Sequence, residues 1–136
     1  MIRASVDIGS NSVLLLAVEI NTDGNIVQNL ANESNVTGLG KGLDIDGKFN
    51  QESMDLTFDV LKSYMDICHK LGLQASEVVA TATEAARKAS NAKLFFQSIK
   101  QKLGIDISII TGEAEAYFST AGILLGGPFD SSIISI

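Results

Sequence analysis

Residues 2–20 hold two apolar runs separated by four small polar residues. Ile2, Ala4, Val6 and Ile8 alternate with polar neighbours, Gly9-Ser10-Asn11-Ser12 follows, and the apolar run resumes over residues 13–20. A period of two, broken and then resumed, predicts two strands joined by a tight turn, with Asp7 at the end of the first. A small polar turn therefore lies between two core strands. Gly9 lets the backbone come close to a ligand, while Ser10, Asn11 and Ser12 offer amide and side-chain donors of the kind that take phosphate oxygens. Asp7 beside them suits a hydrated divalent cation. The same residue types are also the ordinary formers of a hairpin turn, so taken alone the turn fits both readings.

Asn21, Thr22, Asp23 and Gly24 predict a second turn before a third strand over about 25–36, completing an antiparallel meander. Residues 37–50 read as loop, with Gly38, Gly40, Gly42 and Gly47 spaced among Lys41, Asp44, Asp46 and Lys48. Neither a calcium loop nor a Walker loop fits there: a Glu is missing at the twelfth ligand position, and the Walker spacer and its Ser or Thr are absent. A helix is predicted over 51–71, where Met54, Phe58, Leu61, Met65, Cys68 and Leu71 recur at three- and four-residue steps, with Asn50 as cap and Gly72 as stop. That stripe reads as core. Val78 to Thr81 predict a short buried strand, and Thr83 is placed to cap a helix running through Arg87. A further helix over 91–103 is expected to be capped by Asn91, packed through Phe95, Ile99 and Leu103 and closed by Gly104, before a strand over 105–110.

Thr111 and Gly112 open a last helix with Glu113 and Glu115 in its first turn and an apolar side of Ala114, Tyr117, Phe118, Ala121, Leu124 and Leu125. Gly126, Gly127 and Pro128 break it, and residues 132–136 begin a strand that stops in mid-element. The order βββαβαβα predicts an α/β fold, a mixed sheet with helices on both faces.

The 136 residues suit one domain, and 46% hydrophobic content implies a sizeable buried core. No apolar run is long enough to cross a bilayer and no basic-then-apolar segment opens the chain, so a cytoplasmic location is expected. Cys68 has no second cysteine to pair with and falls on a helix stripe, which points to a buried, reduced thiol. His69 has no partners for a zinc site or a Ser-His-Asp triad. The net charge of -6 argues against nucleic-acid binding. It also opposes an anionic polymer as ligand, unless local dipoles, metal ions or residues beyond this chain do the binding.

Three separated segments bear on that tension: Val6-Asp7-Ile8-Gly9-Ser10-Asn11-Ser12, then residues 80–91 with Thr83-Glu84-Ala85-Ala86-Arg87 at their centre, then Ile109-Ile110-Thr111-Gly112-Glu113-Ala114-Glu115-Ala116. Together they resemble the N-terminal half of the exopolyphosphatase and guanosine pentaphosphate phosphohydrolase family, within the actin, Hsp70 and sugar kinase superfamily. The first segment fits any member of the superfamily; the Arg87 and Glu115 segments are specific to the phosphatases. The resemblance implies a ribonuclease H-like (actin-like ATPase) lobe, a five-stranded sheet ordered 3-2-1-4-5, over residues 1–125. Residues 126–136 would be the linker and first strand of a second lobe, with the active site between the two. It implies that Gly9, Ser10, Asn11 and Ser12 bind phosphate, that Asp7 stands near Mg2+ or another divalent cation, that Arg87 holds the terminal phosphate and that Glu115 is the catalytic base. The implied substrates are polyphosphate or guanosine pentaphosphate, and the implied full-length form is a homodimer. One lobe alone would be inactive.

These roles suit the residue types. The planar guanidinium of Arg87 matches two phosphate oxygens and charge developing on a transferring phosphoryl group; its plainer role is a surface ion pair. Glu115 could orient or deprotonate a water for in-line attack; its plainer role, shared with Glu113, is to favour a helix N-terminus. Ser135 departs from the family, which carries an aspartate there, so one metal-associated carboxylate is missing. Two other readings follow: a non-catalytic polyphosphate or alarmone binder, and a sugar kinase or ATPase of the same superfamily.

Overall fold

In the computed structural model, which describes residues 1–110, the two apolar runs pair as the expected hairpin. Strand β1 (Ile2–Ile8) runs antiparallel to β2 (Ser12–Ile20), in register from Ile2↔Glu19 to Ile8↔Val13. β2 continues into β3 (Ile26–Val36), whose ladder shifts register between Ala17 and Val18 and again between Glu19 and Ile20. The Asn21 side chain shapes the intervening turn by accepting the N–H groups of Asp23 and Asn25, each at 3.0 Å.

Segment 37–50, expected to be loop throughout, contains one short helix, α1 (Leu43–Asp46). Gly42 and Gly47 flank it at φ 76° and 67°, in the left-handed region, so glycines supply both ends of a helix too short to show a period in the sequence. α2 (Gln51–Lys70) begins as expected: Asn50 Oδ1 accepts the Ser53 N–H at 2.7 Å. Its inner face buries Leu61, Met65 and Cys68, and also Ser53, Thr57 and Tyr64, which the apolar pattern omits.

After a 3₁₀ turn at Ala75–Glu77 come β4 (Val78–Ala82), α3 (Glu84–Lys88), α4 (Ala92–Leu103) and β5 (Ile107–Ile109). Two expected caps are corrected here. Thr83 stands at the N-cap of α3 with φ −116° and ψ −135° and makes no side-chain capping bond. Asn91 stands at the N-cap of α4 but spends its amide on Phe49. Within α4 the deeper phenylalanine is Phe96, while Phe95 is half-buried beside it. β5 is also shorter than expected, because only Ile107–Ile109 lie alongside Ala80–Ala82; Ile105 is instead fully buried in the core.

The sheet order is β3-β2-β1-β4-β5, with β1, β4 and β5 parallel to one another. One face is Ala4, Val6 and Ile8 beside Val13, Leu15 and Ala17 on one side and Val78, Ala80 and Ala82 on the other. α2 and α4 close over this face through Leu61, Met65, Cys68, Phe96 and Ile99. On the opposite face Leu14 and Val79 are 41% and 60% exposed. The helix expected over 111–125 and the strand expected over 132–136 lie outside the described residues, and with them the expected boundary between lobes.

Tyr64 fastens α2 to the hairpin. Its hydroxyl donates to the Val13 carbonyl at 2.7 Å and accepts from Asn35 Nδ2 at 2.8 Å, the whole side chain being 1% exposed. Tyr64→Phe removes both bonds and should lower the unfolding free energy by about 1–2 kcal/mol in urea titrations. Burial pushes the Cys68 thiol upward. Burial likewise raises the Tyr64 phenol, against the Asn35 hydrogen bond and with the Glu33 charge. Both groups are thus easier to ionise unfolded than folded, so their contribution is complete below the ordinary thiol range and declines as pH climbs above it. Urea midpoints should fall with rising alkalinity, and native Cys68 should resist thiol reagents until the protein unfolds.

Candidate functional site at the carboxyl edge of the sheet

Parallel pairing of β1, β4 and β5 points three carboxyl ends toward one edge, where α/β sheets usually bind ligands. Ile8, Ala82 and Ile109 lie in one line of register, and strands about 4.8 Å apart put the outer two roughly 10 Å from each other. Each strand delivers a candidate to this edge. β1 ends on Asp7 and Ile8 and passes into the Gly9-Ser10-Asn11-Ser12 turn. β4 leads through Thr83 into α3, which carries Arg87 in its last turn. β5 leads to Ile110, from which the chain enters the segment with Glu115. Glu115 itself lies outside the described residues.

The turn has a polarity that its composition did not disclose. Gly9 N–H is used internally, donating to Ser12 O at 2.9 Å, and a side chain at Gly9 would crowd that same oxygen at 3.1 Å. Ser10 O accepts Gly40 N–H at 2.8 Å, and Asn11 O accepts the N–H groups of Thr37 and Gly38 at 3.0 Å each. Two carbonyls of the turn therefore point into the protein. The N–H groups of Ser10 and Asn11 have no acceptor among the described residues, and both residues are exposed. Adjacent amides left open in this way, beside inward carbonyls, suit an anion.

Asp7 is half-buried between Leu14 and Thr81, on the sheet face away from α2 and α4. Arg87 is exposed, and its Nη1 donates to the Ile110 carbonyl; Ile110 N–H in turn donates to Ala82 O at 2.9 Å. These bonds fasten the guanidinium to the end of the parallel strands, on the same edge as the turn. The structure thus brings Asp7, Gly9, Ser10, Asn11, Ser12 and Arg87 to one edge. Among the described residues no cluster of three His, Cys, Asp or Glu side chains forms a metal cage.

Segment 37–50 was missed as part of this site, although its glycines carried a signal. A Cβ at Gly40 would fall 2.8 Å from that of Ser10, so the segment lies against the turn only because residue 40 has no side chain. The groove between α2 and α4, floored by Met54, Phe58 and Phe95, presents none of these candidates.

Comparison with known proteins gives this edge a context. The Ppx/GppA phosphatase family profile matches residues 18–136. A guanosine-5'-triphosphate,3'-diphosphate pyrophosphatase of Vibrio atlanticus is 34% identical over 113 residues, 83% of this chain and 22% of that protein. The crystal structure of the Aquifex aeolicus Ppx/GppA family member superposes with a TM-score of 0.83 at 31% identity, over 92% of this chain and 40% of its own. An exopolyphosphatase from Cytophaga hutchinsonii gives 0.80 at 32% identity, over 89% and 38%. The chain therefore spans well under half the length of these relatives. On a profile covering most of its residues, and a fold shared with solved members at about a third identity, the chain belongs to the Ppx/GppA phosphatase family.

Proposed function

We propose that residues 1–125 form the N-terminal lobe of a phosphohydrolase that removes terminal phosphate from inorganic polyphosphate or guanosine pentaphosphate. Residues 126–136 are then the linker and first strand of the second lobe. The observation that carries this reading is the meeting, at one sheet edge, of the open Ser10 and Asn11 amides, Asp7 and Arg87, in a chain of this family. The names of the Vibrio and Cytophaga relatives supply the two candidate substrates.

In this reading the turn amides and the Arg87 guanidinium hold the terminal phosphate from two sides. Fixed N–H dipoles need no net positive charge, so an acidic chain can still bind an anion locally. Glu115 orients a water and takes its proton as the water attacks phosphorus in line with the leaving oxygen. The phosphate bond to the departing chain or nucleotide then breaks, and inorganic phosphate leaves. Mg2+ keeps most of its waters and takes few protein ligands, so Asp7 at this edge is the residue that would hold it. When bound, the ion would neutralise charge on the phosphate oxygens.

Ser135 favours one second reading, a non-catalytic binder of polyphosphate or alarmone nucleotides that keeps the fold with one carboxylate fewer. The family resemblance also supports a cytoplasmic homodimer for the full-length form. Among the described residues no helix is long and apolar enough to cross a membrane.

The full-length protein with Mg2+ should release phosphate from long-chain polyphosphate or from guanosine pentaphosphate when both are assayed side by side. Absence of release from both, with tight binding of either by calorimetry, would instead select the binding protein, and Ser135→Asp would be the change expected to restore turnover. Glu115→Gln should abolish release while binding stays measurable; unchanged turnover would remove Glu115 from the role of base. Arg87→Ala should cost roughly 100-fold or more in kcat, the scale of losing one strong donor to transition-state charge.

A further inference from the structure

Segment 37–50 touches both halves of the candidate site. At one end the Thr37, Gly38 and Gly40 amides hold the inward carbonyls of Asn11 and Ser10. At the other end Ser90 N–H donates to Gly47 O at 2.9 Å, and the Asn91 side chain brackets the backbone of Phe49. Its Oδ1 accepts the Phe49 N–H at 2.8 Å and its Nδ2 donates to the Phe49 carbonyl at 3.1 Å. Phe49 is 1% exposed, with the Phe95 and Phe96 rings at 6.1 and 6.3 Å, so the bracket closes on a residue packed in the core. Between the two ends, Asn50 Nδ2 donates to Lys41 O at 3.1 Å and Ser53 Oγ to Gly38 O at 2.9 Å, tying the segment to the start of α2.

The helix that carries Arg87 needs such support. α3 has five residues and no side-chain cap from Thr83, and a helix that short does not hold itself. Ala85 and Ala86 seat it on the core, and its carboxyl end runs past the buried Ala89 into the junction at Ser90 and Asn91, which is where the bracket acts. We infer that segment 37–50 is a strap setting Arg87 against the phosphate turn, with Asn91 as a positioning residue for Arg87 and Gly40 as the seat of the strap on the turn. The inference rests on reading the turn and Arg87 as the pair that holds the terminal phosphate. A clamp that only stabilised the fold would change the amount of active protein, whereas a clamp acting through Arg87 changes kcat only while Arg87 is present.

The test is a double-mutant cycle in the full-length protein with Mg2+, measuring kcat and KM for phosphate release from tripolyphosphate and a thermal melt for each variant. Misplacing a reacting group by about 1 Å can cost roughly 100-fold, so Asn91→Ala should lower kcat about tenfold to 100-fold. Asn91→Asp keeps the acceptor for Phe49 N–H and should recover part of that loss. In an Arg87→Ala background either substitution should change kcat by less than about twofold, because coupled residues are not additive. Asn91→Asp serves in the cycle if Asn91→Ala does not fold. Equal losses in both backgrounds would overturn the inference while leaving the functional reading intact. An Arg87→Ala enzyme that turns over normally would remove the functional reading, and the inference with it.

Discussion

The parallel ladder that sets Ala4 to Ile8 of β1 against Val78 to Ala82 of β4, continued from β4 to Ile107–Ile109 of β5, is the constraint on which the rest depends. Register in a sheet whose one face is buried is strongly held, because a slip by one residue would turn Ala4, Val6 and Ile8 out of the core. The same register brings the ends of three strands level, and so brings a turn, an arginine-bearing helix and the entry to the Glu115 segment to one edge. Core packing thus does the placing, and the edge needs no strand of its own devoted to binding.

What the ladder brings together, hydrogen bonds then orient. The carbonyls of Ser10 and Asn11 are consumed by residues 37–40, which leaves the amides of the same two residues open. This arrangement answers the objection raised by a net charge of -6. In the proposed function an anion would be met by oriented dipoles and one guanidinium, whose effect is local, while exposed charges farther off are screened within about 8–10 Å at ordinary salt.

Much of this was legible because the signals are local. Period-two alternation gave β1 and β2, a 3.6-residue stripe with Asn50 before it and Gly72 after it gave α2, and three quoted segments carried the family resemblance. The misses are long-range. Asn91 before a helix looks the same whether it caps that helix or reaches 42 residues back to Phe49. Phe95 and Phe96 are adjacent on α4 and lie about equally near Phe49, and only the packing of the helix on the sheet puts Phe96 in the core and leaves Phe95 half-buried beside it. Gly40 reads as loop composition until Ser10 is found against it. The placement of Glu115 lies outside the described residues, and its role stands on the resemblance and on its nearness in sequence to Ile110.

The central claim is that one phosphate is held between the Ser10 and Asn11 amides and the Arg87 guanidinium. A crystal structure of the full-length protein with Mg2+ and a hydrolysis-resistant tripolyphosphate analogue tests it most directly. The account predicts a terminal phosphate within hydrogen-bond reach of those two amides and of Arg87, at the carboxyl edge of β1, β4 and β5. A terminal phosphate bound elsewhere, with the two amides and Arg87 unengaged, would contradict it.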